Sequence, residues 1–377
     1  MIYLDHNATT PLAPGVLSKM LPFLGQDFGN PSSRHPLGYQ ARRAVESARA
    51  TLATFLHCQE HELVFTSGGT ESVALAFHCA LASGPRTIVI SAVEHACVLD
   101  AAEAWRRHGC PLETCPVDEN GQVELESLER ILFANPGAFV SVIWVNNETG
   151  VISPVELIAD LCKKHGALLH LDGVQAMLRT DVDLDLVPCD YLSLSAHKFG
   201  GPKGAGALVV RGKAPRAALM PGQQEQGLRG GTENVPAVVG MAAALRLQPL
   251  WREEMDRQAG MCRFLEQSTK DRLPGVSING GCAPRIGNTT NLYFPGKNAA
   301  DLVSALGQLG LCVSAGAACS LGGRPSHVLQ AMGLGEARAN SSLRFSLGPE
   351  TSDVVIRQTV DLICQAAMST LSTWGHE

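Results

Sequence analysis

From about residue 60 to residue 215 the chain alternates short apolar or β-branched runs with longer stretches whose apolar positions recur every three or four residues. A continuous apolar run reads as a strand buried on both faces and the longer spacing as a helix, so the pattern predicts βα units around a mostly parallel sheet. The predicted strands are residues 63–65, 87–90, 139–145, 167–171, 191–194 and 207–210. Most run into a polar loop: Thr66-Ser67-Gly68-Gly69-Thr70-Glu71, Glu94-His95, Asn146-Asn147-Glu148, Asp172-Gly173-Val174-Gln175 and Ser195-Ala196-His197-Lys198. In open α/β sheets the ligand crevice lies at the carboxyl ends of the strands, so these five loops are expected to meet at one site. After residue 235 the spacing is helical from 238 to 273, interrupted at Pro249, and is followed by a strand at 290–294 and a helix at 299–309. That change predicts a second, smaller α+β domain. Residues 1–15, with Pro11 and Pro14, are expected to run extended along the surface between the two.

The composition narrows the classes. With 377 residues, 45% hydrophobic and 18% charged, the chain is expected to bury a large core in about two domains. Its 30 Lys+Arg against 36 Asp+Glu leave a net charge of −6, which argues against a nucleic-acid partner. The longest uncharged run, between Asp301 and Arg324, is broken by glycines and serines, so no membrane span is expected. The N-terminus is polar within five residues and lacks the pattern expected of a secretion signal. The 12 cysteines are dispersed, so they read as reduced thiols of a cytoplasmic protein.

Lys198 follows an apolar strand, beside Ser195 and His197 and ahead of a glycine-rich turn. A partly desolvated lysine there can lose its proton and add to a carbonyl; taken alone, the position fits a solvated loop lysine better. Asp172 ends another apolar strand, where a carboxylate can hold a pyridine nitrogen protonated, as pyridoxal 5'-phosphate (PLP) chemistry requires, or can cap the next helix. The two together favour the cofactor. Thr66–Ser72 reads as a strand passing through two glycines into a helix, a phosphate cradle built from Gly69 and Thr70 or else a capping box on Ser67 or Thr70. His95 ends a strand where its ring could stack on a planar cofactor, although a lone histidine is more often structural. Cys319 stands among Gly, Ala and Ser, a composition suited to a loop that presents a thiol; the other cysteines read as small buried hydrophobes. His57 and His61 have helical spacing, but without any Cys-x-x-Cys pair no metal is expected.

Together these motifs resemble the NifS/IscS family of cysteine desulfurases, a relative of the selenocysteine lyases. The resemblance spans nearly the whole chain, through Tyr3-Leu4-Asp5-His6-Asn7-Ala8-Thr9-Thr10-Pro11, Phe28-Gly29-Asn30-Pro31-Ser32-Ser33, Val145-Asn146-Asn147-Glu148-Thr149-Gly150, Arg229-Gly230-Gly231-Thr232-Glu233-Asn234 and Ser341-Ser342-Leu343-Arg344-Phe345-Ser346-Leu347-Gly348. It implies an α/β enzyme of PLP fold type I, aspartate-aminotransferase-like, with a seven-stranded, mostly parallel sheet. The large PLP-binding domain would be residues 15–240, and residues 1–14 with 241–377 the small domain that carries the catalytic cysteine. Lys198 would hold the cofactor, Asp172 would meet its ring nitrogen, Gln175 its phenolic oxygen and His95 its ring face. Gly69, Thr70, Ser195 and His197 would hold the phosphate, with Thr232 donated across a homodimer. Asn7, Asn147 and Arg344 would bind L-cysteine, and Cys319 would take its sulfur as a persulfide for an acceptor protein or thiol, in iron–sulfur cluster or other thio-cofactor assembly. The rival readings are a selenocysteine lyase and a PLP-binding scaffold that has lost catalysis. The sequence departs from the family pattern at Ala196, where the family has Gly, and in the stretch from Cys319 to Pro325, which is shorter.

Overall fold

The computed structural model describes residues 1–316 and 325–369. Its strands are β1 (Ile2–Tyr3), β2 (Leu63–Thr66), β3 (Ile88–Ser91), β4 (Leu112–Cys115), β5 (Phe139–Ile143), β6 (Leu168–Asp172), β7 (Tyr191–Ser195), β8 (Gly206–Val210), β9 (Ser277–Ile278), β10 (Thr289–Tyr293), β11 (Leu311–Cys312) and β12 (Ser342–Ser346). Seven of them form one sheet in the order β2-β8-β7-β6-β5-β3-β4. Only β8 runs against its neighbours, so the sheet is mixed but mostly parallel.

All six strands read from the pattern are present, with ends shifted by a residue or two. β5 stops at Ile143 instead of Val145. The seventh, β4, escaped the pattern because it is an edge strand whose Glu113 and Thr114 are exposed, so no apolar run marks it. The inner strands are buried, save for the half-buried Leu168 that opens β6, and their side chains alternate between two cores. Ala207 and Val209 join the cluster on one face of the sheet, Leu208 and Val210 the cluster on the other. Burying a ring such as Phe77 or Phe139 there stabilises by about 2 kcal/mol.

One polar chain crosses this sheet. The fully buried His170 ring joins Ser141 Oγ on β5 (2.8 Å, at Nδ1) to Ser193 Oγ on β7 (2.8 Å, at Nε2). Burial holds its pKa down to about 3. Between pH 6.5 and 3 the unfolded chain therefore binds a proton that the folded chain does not, and the stability linked to neutral His170 is complete above pH 6.5 and lost as the pH falls. His170→Gln cannot titrate. The stability difference between parent and variant should shrink by about 2 kcal/mol from pH 7 to pH 5 in denaturant titrations; an unchanged difference would mean that the fold leaves the His170 pKa at its ordinary value.

The helical stretch predicted around Pro249 is two helices, Val235–Arg246 and Trp251–Arg272. Beyond them β12, β10 and β9 make an antiparallel sheet, and β1 pairs in parallel with β11. A separate cluster of buried side chains joins Leu4 to residues between Met261 and Ala367. Residues 1–15 lie on the surface only in part: Met1, Tyr3, Pro11 and Pro14 are exposed, but the middle of the segment is drawn inward. Leu4 and Asn7 are fully buried, Asn7 N–H donates to Ser346 Oγ at 2.9 Å, and Asp5 bridges to Ser346. Leu4 is drawn in by that cluster and Asp5 by Arg344. Among the described residues no helix is long and apolar enough to cross a membrane.

Candidate active site

The loops that leave β2, β3, β5, β6 and β7 converge, with residues 7 and 8, on a cavity of about 210 Å³. Its walls contain Asn7, Gly69, Thr70, His95, Asn147, Asp172, Gln175, Ser195, His197, Lys198 and Arg344. Eleven of the expected site residues, scattered from position 7 to position 344, thus share one chamber. Thr232 is exposed and does not line it, and Cys319 lies outside the described residues.

Lys198 stands in the single turn that follows β7 and its Nζ donates to the carbonyls of Asn7 (2.7 Å) and Ala8 (2.9 Å). Asp172 closes β6; its Oδ1 accepts the Val174 N–H at 3.0 Å, so it also does part of the turn-capping work. Burial raises the pKa of its carboxyl, with the charges of His95 and Lys198 opposing. A cation brought against Asp172 would relieve that cost. His95 caps the helix Ala96–Arg107, its Nδ1 accepting the Cys97 N–H at 3.2 Å, and burial lowers its pKa. His197 is held down to about 4, first by burial and then by Lys198 and Lys203. Both rings are neutral near pH 7, and the Nδ1 acceptor role leaves the His95 proton on Nε2.

The helix Gly69–Leu81 begins at the rim, and no side chain caps its first turn, so neither Ser67 nor Thr70 acts as the cap. Its leading N–H groups are left for an anion. A Cβ at Gly69 would stand 2.7 Å from Val174 Cγ2, which is why the chain has no side chain there. Ser195 and His197 line the same rim.

On the far wall Arg344, 1% exposed, donates through Nη1 to the Asn147 carbonyl (2.9 Å) and through Nη2 to Asp5 Oδ1 (2.6 Å). Asn7 Nδ2 donates to the same carbonyl (3.1 Å) and to Thr289 Oγ1 (2.9 Å). Two buried atoms here, Arg344 Nε and Asn7 Oδ1, have no partner among the described residues. One is a donor and one an acceptor, a pair suited to a small zwitterion. Gln175 Nε2 is tied to the Asn7 carbonyl at 2.9 Å, and its Oε1 accepts from the buried Arg179.

Four participants were not singled out from the sequence. Asp5 pairs with Arg344 across the fold and lies within a motif already quoted, two residues before Asn7. Thr289 is signalled by nothing local. Arg179 follows Gln175 by one helical turn. Cys97 also lines the cavity, its Sγ 3.0 Å from His95 Nδ1 and its thiol pKa pushed up by burial; only its place two residues after His95 could have marked it. Elsewhere, His57, Asp183 and Asp185 bring possible ligand atoms within 4.8 Å of one another, but without His61. A larger, mostly apolar cavity of about 340 Å³ behind the Lys198 turn is walled by residues such as Leu12, Pro14, Met177, Trp251 and Met255, and lacks the Asp172 and His95 groups.

The sequence pattern of the family described as Aminotransferase class-V matches residues 2–356. A protein of Trichormus variabilis named cysteine desulfurase 2 is 39% identical, with 96% of this chain and 92% of the relative covered. A solved NifS-like protein superposes with a TM-score of 0.89 at 32% identity, covering 97% of this chain and 98% of that one. The structure described as SspA in complex with cysteine gives 0.82 at 32% identity, covering 93% and 100%.

The chain belongs to the class-V aminotransferases, α/β enzymes of PLP fold type I. Within that family it groups with the cysteine desulfurases, and the group's cofactor is PLP. The residues present fit that cofactor. The costly buried carboxylate of Asp172 suits a cationic ring nitrogen, the uncapped first turn at Gly69 suits a phosphate, and the Lys198 amine enters the chamber between them. When bound, PLP supplies an electron sink for the pair left on a substrate Cα as its proton departs.

Proposed function

We propose that the protein acts as a homodimeric cysteine desulfurase that converts L-cysteine to L-alanine and keeps the sulfur as a persulfide on Cys319. The observation that carries this reading is the pair of unpartnered buried atoms, Arg344 Nε and Asn7 Oδ1, in the chamber that also holds Lys198 and Asp172. Arg344 binds the substrate carboxylate, while Asn7 and Asn147 orient its amine end. Lys198 holds the cofactor and then carries the α-proton on Nζ. Gln175 would meet the cofactor's phenolic oxygen, and His95, neutral and protonated on Nε2, would cover its ring. Cys319 attacks the substrate sulfur as a thiolate. An S–S bond forms, the Cβ–S bond breaks with its electron pair passing to carbon, and Cβ takes a proton to become the methyl group of alanine. The sulfane sulfur then leaves for an acceptor protein or thiol, in iron–sulfur cluster or other thio-cofactor assembly in the cytoplasm.

The exposure of Thr232 supports its contribution to a partner's phosphate site, beside Gly69, Thr70, Ser195 and His197. The separate cluster built from Leu4 and residues after 260 supports a division into a large domain, 15–240, and a small one, 1–14 with 241–377. The helix His327–Ala331 straddles it, since Val328 and Leu329 pack into the larger core.

The test is turnover of L-cysteine by the PLP-loaded protein with a reducing thiol present. Alanine and sulfide are expected in equal amounts. Alanine release from L-selenocysteine but not from L-cysteine would overturn the reading in favour of a selenocysteine lyase, and release from neither would make the protein a scaffold.

A further inference from the structure

The turn after β5 carries a fully buried carboxylate to which the proposed reaction gives no task. Glu148 Oε2 accepts the Ser326 hydroxyl at 2.5 Å, while its Oε1 has no partner among the described residues. Ser326 Oγ also accepts the Leu329 N–H at 3.1 Å, capping the helix His327–Ala331. Gly316, at φ +65°, lies beside this pair: a Cβ built there would stand 3.5 Å from Ser326 Cβ and 3.7 Å from Glu148 Oε2. One carboxylate therefore bonds Ser326 and lies beside Gly316, two residues that flank, in sequence, the stretch containing Cys319.

The backbone of Glu148 is held firmly. Its N–H donates to Asn146 Oδ1 at 2.9 Å and its carbonyl accepts from Asn291 Nδ2 at 3.2 Å. The preceding residue, Asn147, offers its carbonyl to Arg344 and Asn7 in the substrate chamber. A single short turn thus faces the substrate with one residue and the ends of the Cys319 stretch with the next. Burying a carboxylate with one oxygen unpartnered is costly, and such a cost is retained where it fixes a geometry.

We infer that Glu148 is a positioning residue for sulfur transfer, joining Gly316 and Ser326 to the turn that presents Asn147 to the substrate. The inference rests on the reading of Cys319 as the sulfur acceptor. It assigns Glu148 to the thiol half of the reaction and leaves the cofactor half to Lys198 and Asp172.

The two halves can be measured apart in the PLP-loaded enzyme. Exchange of the α-proton of L-alanine with D2O needs only the cofactor half, whereas alanine formation from L-cysteine needs both. Ser326→Ala and Glu148→Ala are expected to form alanine about tenfold more slowly or worse, the scale of a misplaced reacting group, with exchange within about twofold of the parent. Ser326→Thr, which keeps the hydroxyl, should recover at least half of the parental rate. Ser326→Ala removes a single buried hydroxyl and leaves the Glu148 side chain in place, so it decides the matter if Glu148→Ala fails to fold. Alanine formation at the parental rate in Ser326→Ala, or exchange and alanine formation falling together, overturns the inference. Cys319→Ser separates its failure from that of the parent reading, because continued alanine formation in that variant removes Cys319 from the reaction altogether.

Discussion

Lys198→Ala should form alanine from L-cysteine about ten-thousandfold more slowly than the parent, the upper end of what one proton-transferring side chain supplies. Two losses combine in this figure. The variant has no amine at the end of β7 to hold the cofactor, and no base at the place where the α-proton must be taken up. Neighbouring groups cannot stand in for it. His95 uses Nδ1 as the cap of its helix and has its pKa lowered by burial, and His197, held down to about 4, lines the phosphate side. The fold should survive, because Nζ donates to loop carbonyls, those of Asn7 and Ala8, and the Asn7 carbonyl keeps Gln175 as a donor. The cost is about 1–2 kcal/mol. Borohydride treatment followed by peptide mass analysis checks the assignment, since the reduced cofactor should be found on Lys198 of the parent and on no lysine of the variant. A labelled lysine in Lys198→Ala would transfer the role to another residue.

Cys319→Ser is the second large effect, expected to lower alanine formation about a thousandfold or more while the cofactor remains bound. A hydroxyl is a poor nucleophile toward sulfur and offers no thiolate. The other thiols make the contrast sharp. Burial pushes Cys58, Cys115, Cys162, Cys189 and Cys262 up to about 12, so they stay protonated at any working pH. Cys282 is the exposed member of the described set. Cys282→Ser should therefore retain parental activity and serves as the matched control. Labelling with a thiol-blocking reagent after a single turnover should place the extra sulfur on the Cys319 peptide; sulfur on Cys97, the thiol within the chamber, would overturn the assignment.

Much of this site was legible because its chemistry stands at strand ends. An apolar run followed at once by Asp172, by Ser195 to Lys198 or by Gly68 and Gly69 announces both the strand and the loop that must line the crevice. The roles went further than local pattern allows only through the family resemblance. What stayed hidden depends on distant residues meeting. Arg344 and Asp5, 339 positions apart, form a buried pair that no periodicity encodes. The exposed Glu113 and Thr114 concealed β4, because an edge strand has water on one flank. The two prolines near the N-terminus suggested a surface strap, yet Leu4 and Asn7 are buried, since an apolar side chain and a substrate-facing amide each had a partner waiting elsewhere.

That burial has a consequence for how the protein is made. Asn7 leaves the ribosome early, but its N–H bonds to the hydroxyl of Ser346, 339 residues later. At about 5–20 residues per second the opening segment waits roughly 17–70 s for its partner strand. The sheet from β2 to β8 can form in that interval, whereas the substrate wall cannot. A nascent chain is thus expected to build its cofactor shelf first and to gain a substrate-holding chamber only near the end of synthesis, so a truncated translation product would have no closed chamber in which to cleave cysteine.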